Sequence, residues 1–255
     1  MPVATSIFLT LSLALAVVLG PQMRAWSWGP SLLALAAASA CAAWVFIREK
    51  RTAIEPTTLV LGALTTAWFA WRAWTSPVQE LAHADLLLLA AAIGGFLSFR
   101  AIAGHRGASG VFLWSLATLL LASAVMVFLQ HQDPSWSQFR ERPAPYPSGF
   151  FGHYNEGANF LVGAAFLLLG AVLFGNANRA TALAWLLIAI AAIVAVYFTR
   201  SRGGILSAAA GFAALAVIAL VVGSKRKAKW FPVALIAFPI LALGAAFGAF
   251  TIWQQ

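Results

Sequence analysis

Nine apolar runs, each close to the roughly 20 helical residues that a bilayer core requires, dominate the sequence. They lie near 3–20, 31–47, 57–74, 86–103, 110–129, 157–175, 180–199, 204–222 and 231–252, each bounded by charge, Gly or Pro. A helix satisfies its own backbone hydrogen bonds, so runs of this kind are stable in lipid without water or a neighbouring strand. In water they would need a core larger than a chain of 255 residues can enclose. Composition agrees, with 62% apolar and only 9% charged residues against about a quarter charged in ordinary soluble domains. A water-soluble globule is excluded. The fold class expected is all-α: a polytopic membrane protein with nine transmembrane helices, read as a single helical domain over 1–255. No Lys or Arg precedes Arg24, so the first run lacks the basic start of a signal peptide and reads as a retained helix.

Charge placement sets the expected orientation, because Lys and Arg favour the cytoplasmic side. With the N-terminus cytoplasmic, the inner loops carry Arg48, Lys50, Arg51, Arg100, Arg106, Arg179, Lys225, Arg226, Lys227 and Lys229. The outer side then holds Arg24, Arg72, Arg140, Arg142, Arg200 and Arg202, six of the 16 basic residues. Acidic residues run the other way, with Glu49 and Glu55 inside and the remaining five of seven outside. Nine spans place the C-terminus in the periplasm. The net charge of +9 is then explained by basic loops on anionic lipid, with no nucleic-acid partner implied. Cys41 is the single cysteine, which excludes an intrachain disulfide and a cysteine-based zinc cluster.

One connection is long and irregular. The 130–156 segment contains Pro134, Pro143, Pro145 and Pro147, together with Trp136, Phe139, Tyr146, Phe150, Phe151 and Tyr154. Proline at that density forbids a continuous helix, and the aromatics suit the headgroup zone, so an outer-surface segment is expected.

The outer Arg residues run against the charge bias and mark where function is to be sought. Thr199-Arg200-Ser201-Arg202-Gly203-Gly204 forms a very short turn between the seventh and eighth runs. Ser201 can cap the eighth helix, and Arg200 and Arg202 beside that positive helix end make an anion site. Gly203 and Gly204 would let a ligand approach the backbone. Snorkelling of both Arg side chains to the headgroups is the plainer alternative. A second cluster, Gly152-His153-Tyr154-Asn155-Glu156-Gly157-Ala158-Asn159, leads into the sixth run. Asn155 and Asn159 share a helical face if the helix starts early, and His153 or Glu156 can serve as a base near neutral pH. The plainer reading has Asn155 and Glu156 simply capping that helix. Arg140 and Arg142 in the Pro-rich segment are further phosphate-binding candidates, beside Trp136 and Tyr146. The only two Asp residues, Asp85 and Asp133, lie far apart. No Asp-x-Asp pair, ATP-binding Gly-rich loop or Ser-x-x-Lys nucleophile motif occurs, so neither metal nor cofactor is expected.

The motif Phe151-Gly152-His153-Tyr154-Asn155-Glu156-Gly157-Ala158 followed by Ser201-Arg202-Gly203-Gly204 resembles the O-antigen ligase/polymerase family of bacterial membrane glycosyltransferases. The likeness covers about 148–222. It implies a metal-independent, inverting enzyme of the inner (plasma) membrane, active in lipopolysaccharide or polysaccharide biosynthesis. Such an enzyme transfers a glycan from an undecaprenyl-diphosphate carrier to a hydroxyl of an acceptor glycolipid, glycan or protein on the periplasmic face. The resemblance assigns Arg202, with Arg200, to the carrier diphosphate, and Ser201, Gly203, Asn155, Glu156, His153, Arg140 and Arg142 to the substrate site. Members of that family continue into a large periplasmic loop bearing a further Arg and a His. The chain is therefore expected to be the N-terminal part of such an enzyme, or else a non-catalytic protein that binds or transports the lipid carrier.

Overall fold

The computed structural model describes residues 1–19, 25–49, 56–137, 146–226 and 244. Eight α-helices follow one another: α1 (Pro2–Leu19), α2 (Ala25–Arg48), α3 (Pro56–Trp74), α4 (Gln79–Ala103), α5 (Arg106–Gln132), α6 (Tyr154–Phe174), α7 (Arg179–Phe198) and α8 (Arg202–Arg226). A 3-10 turn, Pro134–Ser137, follows α5, and there is no strand among the described residues. Six helices contain a stretch long and apolar enough to cross a membrane: all of α1, α5, α6 and α7, Trp28–Arg48 of α2 and Asp85–Ala103 of α4. This is a multi-pass architecture. Except for residue 244, the ninth expected run, 231–252, lies outside the described residues, as do Arg24, Arg140, Arg142, Lys227 and Lys229.

Alanines fill much of the buried interior, beside a few large side chains such as Ile102, Leu120 and Leu168, while many large apolar residues are exposed. Ala38, Ala42, Ala101, Ala117, Ala124, Ala189, Ala192 and Ala195 are fully buried, whereas Leu33 is 74% and Ile47 77% exposed. A soluble bundle would do the reverse. In lipid, Leu and Ile gain nothing by leaving the surface, and helices associate through close backbone approach at small residues.

Contacts gather into two compact units, one of residues 1–16 and 24–115, the other of 17–23 and the residues from 116 on. Two of the three divisions fall inside α1 and α5, so no change of composition marks them in the sequence. In the first unit α4 packs against α2 and α3, and Ala42, Val45 and Ala101 form a small core with Phe46. A side chain at Gly94 would come within 2.7 Å of Ser39 Oγ, which keeps that crossing tight. Ser6 Oγ donates to the Ala108 carbonyl at 2.8 Å and Ser12 Oγ to that of Ser31 at 2.8 Å. Glu49 and His105 pair at 3.0 Å.

In the second unit α6 packs against both α7 and α8. Gly204 and Gly211, two turns apart on α8, meet Ala158 and Phe166 of α6; a Cβ at either glycine would stand 2.5 Å from its neighbour. Gln130, buried near the end of α5, grips the chain ahead of α6. Its Oε1 accepts from the Ser148 and Gly149 amides at 2.9 and 3.0 Å, and its Nε2 donates to the Gly149 carbonyl at 2.8 Å. Gly149 adopts φ +66°, which turns the backbone back on itself there. Ser148 Oγ donates to the Phe151 carbonyl. The Ser148 carbonyl lies so close to Gly157 that no side chain fits at that position.

Candidate functional site

Only Thr199, Arg200 and Ser201 separate α7 from α8. Reversing direction in three residues requires one left-handed backbone, and Arg200 supplies it at φ +52°, uncommon for a residue with a side chain. Its neighbours lock the turn. Thr199 Oγ1 donates to the Val196 carbonyl at 2.7 Å and accepts from the Ser201 amide at 3.2 Å. Ser201 Oγ accepts from the Gly204 amide at 3.0 Å, the N-cap of α8, and donates to Asn155 Oδ1 at 2.7 Å. Thr199 and Ser201 are fully buried, while Arg200 and Arg202 are exposed. The hydroxyls hold the turn from within and leave both guanidinium groups outside.

The Ser201–Asn155 bond joins residues 46 apart in sequence and sets the N-termini of α6 and α8 side by side. Each helix carries a partial positive charge at that end, and Ser201 Oγ caps that of α8. His153, in extended conformation, caps α6 by accepting from the Asn155 amide through Nδ1 at 3.2 Å. That corrects the sequence alternative in which Asn155 and Glu156 cap the helix: Asn155 instead reaches across to α8, and Glu156 stands exposed in the first turn. With α6 beginning at Tyr154, Asn155 and Asn159 are one turn apart and both exposed.

An aromatic chain flanks the two helix ends. The Arg200 guanidinium lies 5.6 Å from the centre of the Tyr146 ring. Tyr146 meets Tyr154 edge-on at 5.3 Å, and Tyr154 stacks on His153 at 4.3 Å. Cation–π attraction of this kind holds Arg200 in place while leaving its N–H donors available to a ligand.

The expected residues thus fall into three groups. Arg200, Ser201, Asn155 and His153 are linked through direct contacts or through the two tyrosines. Arg202, Gly203 and Glu156 sit exposed in the first turns of α8 and α6. Arg140 and Arg142 lie outside the described residues. The two glycines separate in role: a Cβ at Gly203 meets open space, whereas Gly204 is packed against Ala158. Only Gly203 leaves backbone open to a ligand. Tyr146, Gln130 and Ser148 also shape the site. The sequence marks Tyr146 as an aromatic neighbour of Arg140 and Arg142, whereas the structure sets it under Arg200; Gln130 is legible only as a polar residue ending an apolar run.

Comparison with protein-family models, with curated proteins and with solved structures finds no match for the chain.

Proposed function

We propose that this protein binds a polyprenyl-diphosphate-linked glycan at the outer face of a bacterial inner membrane and acts in glycosyl transfer, in the manner of the O-antigen ligase/polymerase family its motifs resemble. One observation carries the reading: two helix N-termini are tied together by Ser201 and Asn155, with the exposed Arg200 and Arg202 on either side of Ser201. Two positive helix ends and two Arg forks suit a diphosphate, whose charge grows as it departs. In the proposed reaction an acceptor hydroxyl attacks the anomeric carbon. The bond from that carbon to the diphosphate oxygen breaks with inversion, and Arg202 and Arg200 stabilise the leaving group. The hydroxyl proton passes to a base, for which the site offers the Glu156 carboxylate; His153, whose Nδ1 already accepts from the Asn155 amide, has only an Nε2–H to donate to substrate. In this reading nine helices run from a cytoplasmic N-terminus to a periplasmic C-terminus, which places the α7–α8 turn outside.

The test is binding of undecaprenyl diphosphate to the purified chain. Loss of one charge-assisted contact is worth about 1.5–3 kcal/mol, or roughly 10- to 150-fold in affinity. Arg202→Ala should weaken binding by that factor, and Arg202→Lys should restore part of it, since Lys keeps charge but loses the fork. Arg179→Ala, at the other end of α7, should bind as wild type. Equal binding by wild type and Arg202→Ala, both folded, refutes the proposal and leaves snorkelling as the role of this side chain.

A further inference from the structure

A cavity of about 320 Å³ opens where α3 ends and α4 begins, lined among others by Trp68, Phe69, Arg72, Thr75, Ser76 and Asp85. That volume falls at the lower end of small-molecule sites, roughly 300–1,000 Å³. Arg72 stands in the last turn of α3, and Asp85 is the first residue of the apolar span of α4. The cavity therefore sits at the boundary between headgroups and hydrocarbon, the depth at which Trp side chains concentrate. Trp68, Trp71 and Trp74 are all more than half exposed there.

Arg72 and Asp85 share the wall of this cavity without pairing with each other, and neither takes an ion-pair partner among the described residues. The turn between them is held by its own hydroxyls. Thr75 Oγ1 donates to the Trp71 carbonyl at 3.0 Å, and Ser76 Oγ accepts from the Val78 amide at 3.3 Å. Two opposite charges that line one cavity and do not meet are complementary to a ligand bearing both charges in the reverse order. We infer that this cavity binds a phosphoethanolamine headgroup, with the phosphate on the Arg72 guanidinium and the primary ammonium on the Asp85 carboxylate. Trp68 and Phe69 supply the apolar wall along which an acyl chain leaves. The ammonium requirement is specific: its N–H groups donate to the carboxylate, and a choline has none to offer. The inference is independent of the diphosphate site, because it uses only residues of α3, α4 and the turn between them.

The experiment is lipid retention by the detergent-purified protein, read by native mass spectrometry after incubation with equal amounts of phosphatidylethanolamine, its N-monomethyl and N,N-dimethyl forms, and phosphatidylcholine, all with the same acyl chains. Retention should fall along that series, with about a tenfold preference for the ethanolamine lipid over choline, as one additional charge-assisted contact provides. Asp85→Asn should flatten the series, and Arg72→Gln should lower retention of all four lipids. Millimolar phosphoethanolamine distinguishes the source of the headgroup: displacement of the lipid shows that the soluble headgroup suffices, and no displacement shows that a membrane lipid is required. Equal retention of the ethanolamine and choline lipids by wild type overturns the inference without recourse to any variant. So does an undiminished preference in Asp85→Asn.

Discussion

Ser201→Ala removes one oxygen that serves two helices. The hydroxyl is fully buried, caps α8 at the Gly204 amide and donates to Asn155 Oδ1 on α6. Loss of an N-cap costs about 1 kcal/mol. The second bond contributes less, about 0.5 kcal/mol, because Asn155 is exposed and its freed carbonyl oxygen regains water. The sum, about 1.5 kcal/mol, corresponds to a melting temperature lower by about 3–6 °C in a protein of this size. The assay is a thermal melt in one detergent at one heating rate for wild type, Ser201→Ala, Asn155→Ala and the double variant. Asn155→Ala alone should cost about 0.5 kcal/mol, and the double variant should fall short of the sum of the two singles by a similar amount. Ser201→Asp should remain near wild type, since its carboxylate keeps the cap at the positive helix end and accepts from Asn155 once that amide turns over. A Ser201→Ala melt within 1 °C of wild type, or strict additivity with Asn155→Ala, would refute the idea that this hydroxyl joins the two helix ends.

Gly157→Ala should destabilise more than Gly204→Ala, because its methyl group meets the Ser148 backbone whereas at Gly204 it meets the Ala158 side chain; melts of both variants rank them. Reporter fusions after Lys229 should read as cytoplasmic and those at Pro143 and after Gln255 as periplasmic, and a cytoplasmic signal at Pro143 would sink the outward-facing site. Asp133, beyond the end of α5, accepts hydrogen bonds from the Ser135 side chain and amide, which hold its carboxyl below the usual carboxylate range. The charged form therefore supports the Pro134–Ser137 turn at neutral pH, and that support is lost only as pH falls through the lowered value. Amide exchange at Ser135 should show this loss, and in Ser135→Ala the Asp133 carboxyl should titrate at a higher pH, as followed by its NMR shift.

The described helices coincide with eight of the runs visible in the sequence, and six of them are long and apolar enough to cross a membrane, α3 and α8 not being among these. Their ends are less legible. α6 starts at Tyr154 and not near 157, and α8 reaches Arg226, since helices continue through polar residues once caps or solvent satisfy their termini. α2 likewise begins at Ala25 and carries Pro30 within it, where apolar periodicity alone gives no reason to start so early. The site was half legible. Arg200, Ser201 and Arg202 stood out because a cytoplasmic N-terminus would put them on the side where cations are scarce, and because the turn was short. The bond from Ser201 to Asn155 and the seat of Arg200 on Tyr146 join distant parts of the chain, and pairing across such separations leaves no local pattern. The His153 cap was missed because Asn and Glu are the commoner residues for that task.

The grip of Gln130 on Ser148 and Gly149 reaches beyond local order. A side-chain amide here does for two backbone peptides what a neighbouring strand would do, and it closes the intervening residues into a loop fastened at both ends. Doubling the length of such a loop costs only about 0.6 kcal/mol in closure entropy. The sequence between the Pro134–Ser137 turn and Tyr146 can thus change in length at little cost in stability, provided Tyr146 keeps its seat under Arg200. A descendant can meet a different partner by rewriting that stretch, with the Ser201–Asn155 tie between the helix ends left as it is.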